Sequence, residues 1–295
     1  MPRSHPPTLL TLASRALREE CGVVKGARVL VAVSGGPDSI ALLDVLGRLS
    51  SSLGLSLVAH GVDHGLREEA PAELELAAAH AARLGVDFDV TKLALAPGGN
   101  LQARARDARY AALERVAKRR DLGLLATAHH ADDRAETVLL RLLRGSGPRG
   151  LGVLPPREGP RIRPLIRARR SDVLGHLARH DIPFATDPSN TDRRFLRARV
   201  RAEVLPLLSD LSAGVVALLN ALADALGEAE APVDWQRVAA SADVELGREH
   251  LRALSRARKL GLSSARVRLP GGKEAQVDAR TGELRIGFAA RSNRR

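Results

Sequence analysis

Cysteine is almost missing from this chain. Cys21 stands alone in 295 residues, which excludes an intrachain disulfide framework and any cysteine cluster for zinc or iron–sulfur, and points to a reducing compartment. Long apolar runs are missing too. No stretch of about 18 apolar residues occurs, and the start, Met1 to Pro7, leads into no segment of signal length. A cytoplasmic protein without a membrane partner is the expectation. Aromatic residues are scarce, with one Trp, one Tyr and four Phe. For stacking on nucleic-acid bases Tyr110, Trp235, Phe184 and Phe195 are the main candidates, so any such recognition should lean on phosphate contacts and shape more than on an aromatic platform.

Positive charge is plentiful and unevenly placed. Residues 1–100 hold 9 Lys+Arg against 11 Asp+Glu, whereas residues 101–200 hold 22 against 11. Arginine dominates this middle third, and its planar fork suits phosphates and base edges. A polyanion such as RNA is the natural partner.

The segment Ser34-Gly35-Gly36-Pro37-Asp38-Ser39 follows the apolar run Val29–Val33 and precedes Ile40–Leu43. A buried strand therefore enters a glycine turn and then a helix, whose first N–H groups have no partner inside the helix. That arrangement binds phosphate. The glycines allow close backbone approach, Ser34 and Ser39 add hydroxyls, and the helix dipole favours negative charge. No lysine follows, so this is not a Walker loop. Asp38 stands where a phosphate binder would gain most from a cation, which implies a bridging divalent metal.

Alternating strand and helix patterns predict an α/β fold with a parallel sheet and helices on both faces. After a helix at about 9–20, strands are expected at 28–33, 55–61, 86–91 and 124–128, with helices at 38–49, 70–84, 101–120 and 132–143. The Gly/Pro-rich stretch 145–160 reads as an irregular mobile loop, and residues 171–208 as mainly helical. A change near 206–212 divides a domain of residues 1–208 from a small α+β domain, 213–295, with helices at about 213–226 and 244–257 followed by short strands.

Open parallel sheets bind ligands at the carboxyl ends of their strands. Strand two ends in Asp63-His64-Gly65-Leu66-Arg67, and an arginine beside a phosphate loop has an obvious use, so His64 and Arg67 are candidate nucleotide contacts. Strand four ends in His129-His130-Ala131-Asp132-Asp133-Arg134-Ala135-Glu136-Thr137. Helical spacing puts Asp133, Glu136 and Thr137 on one face, where carboxylates could hold magnesium, a substrate amine, or both. A zinc site at His129 and His130 lacks a third ligand at suitable spacing.

These motifs, together with Asn100-Leu101-Gln102, Ala108-Arg109-Tyr110, Arg144–Leu151, Arg163-Pro164-Leu165, Asp187–Asn190 and the basic run Arg194–Arg201, cover roughly residues 27–208 and resemble the tRNA(Ile)-lysidine synthetase family in its short form. The family belongs among the pyrophosphatase-loop enzymes, which split ATP into AMP and pyrophosphate. The resemblance implies an adenine nucleotide alpha hydrolase-like fold and a ligase that joins free L-lysine to the wobble cytidine of tRNA(Ile) with a CAU anticodon, using ATP and Mg2+. It implies Asp38, Asp133 and Glu136 in catalysis, Ser34 to Ser39 with His64 and Arg67 on ATP, and Asp132 and Asp133 on lysine. It further implies Asp38 and Asp133 on magnesium, and Arg104, Arg109, Arg197, Arg199 and Arg201 on the tRNA backbone. The C-terminal domain would contact tRNA as well, and a homodimer is allowed. The chain departs from the family in having Arg197-Ala198 where an arginine-asparagine pair is usual, and Phe195 for a frequent tyrosine.

Other readings stay open from sequence. A tRNA thiolase would need more cysteines than Cys21. An NAD or GMP synthetase leaves the basic middle third unexplained, and a non-catalytic RNA-binding relative has no need of Asp38 and Asp133.

Overall fold

A computed structural model describes residues 7–94, 98–99, 101–186, 193–228, 233–262, 265–278 and 281–288. Asn100 and Asp187–Asn190 lie outside the described residues.

The strands are β1 Arg28–Val33, β2 Ser56–Asp63, β3 Asp87–Lys92, β4 Leu124–Ala126, β5 Arg157–Glu158, β6 Arg161–Ile162, β7 Arg266–Leu269, β8 Lys273–Val277 and β9 Leu284–Phe288. The helices are α1 Leu9–Arg15, α2 Pro37–Leu53, α3 Ala70–Arg83, α4 Leu101–Arg119, α5 Ala131–Leu143, α6 Arg170–Arg179, α7 Leu196–Arg199, α8 Leu205–Leu211, α9 Val215–Glu228, α10 Val233–Ser241 and α11 Arg248–Lys259. Strands β1 to β6 form one sheet in the order β3-β2-β1-β4-β6-β5, parallel except for β5. The expected α/β fold is therefore present.

β1 is apolar from Val29 to Val33 because both its faces are covered there. Val29, Val31 and Val33 point into a core with α1, α2 and α6, while Leu30 points to the opposite core with Leu113, Val116 and Leu125. From β1 the chain builds outward to β2 and β3, then crosses back to place β4 on β1's other side. The crevice at this reversal, between the ends of β1 and β4, is where such sheets hold ligands. It sets the phosphate loop beside the His129–Thr137 segment.

Two stretches differ from their sequence readings. Within residues 145–160 the middle is packed: Leu151 and Val153 are buried, the Arg134 guanidinium donates to the Val153 carbonyl, and β5 pairs with β6 just beyond the stretch to extend the sheet, while Gly145, Gly147 and Pro148 stay exposed. Glycine and proline content hid the two short strands and a 3-10 turn at Pro148–Leu151. Helix α9, expected to open a second domain, packs on α5 through Ala131, Ala135, Val138, Val216 and Ala223. Asp224 of α9 pairs with Arg134 and Arg167, each at 2.6 Å, and Arg167 also holds Glu20.

A separate core begins at Trp235 in α10, a helix the sequence pattern did not single out, and joins α11 to the antiparallel sheet β7-β8-β9. Trp235 is buried and donates from Nε1 to the Gly282 carbonyl at 2.8 Å. Trp235→Ala should cost this unit about 3–5 kcal/mol through the cavity and the orphaned carbonyl. Hydrogen exchange should then speed up across residues 266–288 while β1 and β2 keep wild-type protection.

Candidate active site

The loop between β1 and α2 is shaped for an anion. Gly35 has φ +82°, and a Cβ there would lie 2.4 Å from the Glu73 carbonyl oxygen, so only glycine fits. Its own carbonyl accepts from the Ala185 N–H at 2.9 Å. The Ser39 hydroxyl donates to the Gly36 carbonyl and accepts from the Ser34 N–H, closing the turn. Gly36 caps α2 without any side-chain hydrogen bond, and Pro37 opens the helix. The first turn of a 17-residue helix thus points free N–H groups into the crevice.

Asp38 follows directly. Its Oδ1 is buried without a hydrogen-bond partner, 3.6 Å from His130 Nε2, while Oδ2 lies 3.5 Å from the Arg170 guanidinium. Burial is the largest influence on this carboxyl and, with Asp133 adding, raises it above its ordinary value against the pull of His130 and Arg170. His130 caps α5: its Nδ1 accepts from the Asp133 N–H at 3.3 Å, and Asp133 returns a bond from its Oδ2 to the His130 N–H at 3.2 Å. Its Nε2 is buried, unpartnered, and 3.5 Å from Asp133 Oδ2.

Asp133 and Glu136 lie on one face of α5, as expected, and both are held by arginines from α7 and the π-helical turn that follows it. Arg197 donates to Glu136 at 2.9 Å and to Asp133 at 3.0 Å. Arg201 donates to Glu136 at 2.6 and 3.0 Å and to Asp133 at 3.3 Å. Burial alone would raise the Asp133 carboxyl, but His130, Arg197 and His129 together hold it below its ordinary value. Arg197 and Arg201, expected on the RNA backbone, instead face inward. Sequence hid this because their partners lie 61 to 68 residues away.

Other expected residues divide. Asp132 does not join Asp133. Its carboxylate receives the Arg170 N–H at 2.8 Å and the Arg169 guanidinium at 3.0 Å, and so anchors the start of α6. Consecutive helical residues are turned about 100° apart, which separates the two aspartates. Arg67 pairs with Glu73 at 2.6 Å, beside the phosphate loop's neighbour α3. His64 Nδ1 is buried without a partner, and burial followed by the nearby Arg109 lowers its basicity. Arg109 itself is half-buried, and with Arg106 and Arg161 it surrounds the Tyr110 ring at 4.9 to 5.6 Å. Arg104 lies near Gly98, and Arg199 is exposed and paired with Glu203 at 3.1 Å. Arg170 was missed; an arginine pair at a helix start carries no signal of what it faces.

Opposite shifts give a pH signature. A raised carboxyl is protonated in the fold at higher pH than in the unfolded chain, so Asp38 as a carboxylate costs stability at neutral pH, and that cost disappears on acidification. The depressed Asp133 contributes stability above the ordinary value of 3.8 and loses it as pH falls through its lower folded value. Nucleotide affinity measured against pH should therefore fall at a pH above 3.8, as Asp38 protonates, before acid unfolding releases Asp133.

Comparison with known proteins gives the family. Residues 10–208 match the family model of the PP-loop domain, ATP_bind_3. A tRNA(Ile)-lysidine synthase of Novosphingobium aromaticivorans is 37% identical over 230 residues, which are 76% of this chain and 68% of that protein. The chain belongs to the PP-loop family, in its tRNA(Ile)-lysidine synthase branch. The synthases of Symbiobacterium thermophilum and Mycolicibacterium paratuberculosis are 43% and 45% identical over 69% and 68% of this chain. Those matches span 44% and 61% of the two relatives. Among solved structures, the U34-tRNA thiolase NcsA from Methanococcus maripaludis, with its [4Fe-4S] cluster, shares the fold with a TM-score of 0.62 at 18% identity, over 75% of this chain and 79% of that one.

Membership of the PP-loop family supports ATP as the ligand of the Ser34–Ser39 loop. Among the described residues no single helix is long and apolar enough to cross a membrane.

Proposed function

We propose that this PP-loop protein attaches free L-lysine to C2 of the wobble cytidine of tRNA(Ile) bearing a CAU anticodon, through an adenylated cytidine. The observation that carries the reading is the meeting, at one sheet crevice, of an uncapped phosphate-binding helix start with the half-buried Asp133 and the buried Glu136, in a chain of the lysidine synthase branch. Cytidine O2 attacks the α-phosphate of ATP and pyrophosphate leaves. The lysine ε-amine then attacks C2, and AMP departs with the former O2 while the amine loses its protons.

The N–H groups of Gly35, Gly36, Asp38 and Ser39 take the charge that develops on the phosphates. Asp133, held ionised, and Glu136 accept the substrate ammonium, whose ordinary pKa near 10.4 demands a carboxylate neighbour before it can lose a proton. Magnesium suits Asp38, whose Oδ1 is orphaned, because this ion is held by one or two carboxylates plus substrate phosphates. Asp133 is the second candidate ligand, and among the described residues no group of three or more His, Cys, Asp or Glu forms a metal site of its own. When bound, the ion would neutralise leaving pyrophosphate. Arg104, Arg109 and Arg199 remain candidates for the tRNA backbone, and Arg248, Arg256 and Arg258 of α11 give the C-terminal unit a basic helix for the same partner. The reading carries a cytoplasmic enzyme with it.

ATP–pyrophosphate exchange tests the first half-reaction. Exchange should require tRNA(Ile) with CAU and proceed without lysine; exchange without RNA, or none with it, contradicts the proposal.

A further inference from the structure

The Asp133–Glu136 pair is already neutralised by this chain's own residues. Two carboxylates meet two guanidiniums, so the arrangement has no net charge to offer an incoming ammonium. The two arginines are unequal. Arg201 makes three bonds to the pair and its side chain is 31% exposed, whereas Arg197 makes one bond to each carboxylate and is 43% exposed. Arg197 also sits on a weakly held element. Helix α7 has four residues and none of them is buried; a π-helical turn at Val200–Val204 follows, with Val200 fully buried as its pivot. Single π turns inside helices recur at functional sites, and elements without buried residues open at low cost.

From the inward-facing Arg197 we infer that it is a placeholder for the substrate ammonium: lysine binding displaces it from Asp133 and Glu136, while Arg201 stays. With Arg197 gone the carboxylate pair and Arg201 carry one net negative charge, which matches one ammonium. The released guanidinium then lies beside the phosphate loop's crevice, where the adenylate phosphate offers the nearest anionic partner. Arg197 thereby couples filling of the lysine subsite to charge neutralisation at the phosphate. This inference rests on the lysidine reading.

Equilibrium dialysis of labelled L-lysine against the full chain, without nucleotide or RNA, tests it. Arg197→Met and Arg197→Gln should each bind lysine about tenfold tighter than wild type, because the internal competitor is gone. Both should fold, given the exposure of Arg197. In turnover, KM for lysine and kcat should fall together, since the phosphate station is lost as well. Unchanged or weaker lysine binding by both Arg197 variants, with ATP affinity and melting temperature as in wild type, overturns the exchange. If wild type loaded with ATP and tRNA still incorporates lysine, only the exchange has failed; if it does not, the lysidine reading has failed with it.

Discussion

Asp38→Asn should cripple lysine transfer and make the protein more stable. The carboxylate is buried, its Oδ1 has no partner, and burial outweighs the attraction of His130 and Arg170, so the folded chain holds this charge at a cost. An amide of the same shape removes that cost, and the melting temperature should rise by about 2 °C. The reaction should slow by about a thousandfold, because the amide lacks the charge that holds a metal at the phosphates. Thermal unfolding and tRNA-dependent ATP–pyrophosphate exchange on the same preparation check both halves. A variant that melts lower than wild type would show that Asp38 is structural.

Gly35→Ala should be the most damaging single methyl group in the phosphate loop. A φ of +82° is unfavourable for any residue with a side chain, and the new Cβ would sit 2.4 Å from the Glu73 carbonyl oxygen, a backbone atom with no rotamer to yield. The strain and the collision should cost about 3 kcal/mol, which lowers the melting temperature by roughly 6–12 °C, and nucleotide affinity should fall about a hundredfold as the turn shifts. Gly36→Ala is the internal control. Gly36 has φ −71°, and a methyl group there would find only the Ser34 hydroxyl at 3.8 Å, so stability should stay near wild type. Equal melting temperatures for the two variants would contradict the geometry of the turn.

Much of this was legible in the sequence because it is local. The strand–turn–helix of Val29–Leu43 needs only neighbouring residues, and β1 runs over Arg28–Val33 as read. The placing of Asp133 and Glu136 on one face follows from helical spacing alone. Residues whose partners are distant in the chain were misplaced. Arg197 and Arg201 sit in a run of arginines and read as an RNA contact, although their i,i+4 spacing matches the i,i+3 spacing of the acids they hold. Asp132 shared a motif with Asp133 but turns toward α6, whose start the sequence does not mark as a neighbour. The 145–160 stretch looked irregular because its one strand, β5, has two residues and leaves no period to detect. Helix α9 looked like the start of a new domain, yet its apolar face meets α5.

The central claim is tested most directly by incubating the purified chain with ATP, magnesium, labelled lysine and an isoleucine tRNA transcript carrying CAU. One lysine should be incorporated per tRNA, with one AMP and one pyrophosphate released for each. Release of ADP and phosphate, or RNA and ATP binding with no lysine incorporated, would contradict it.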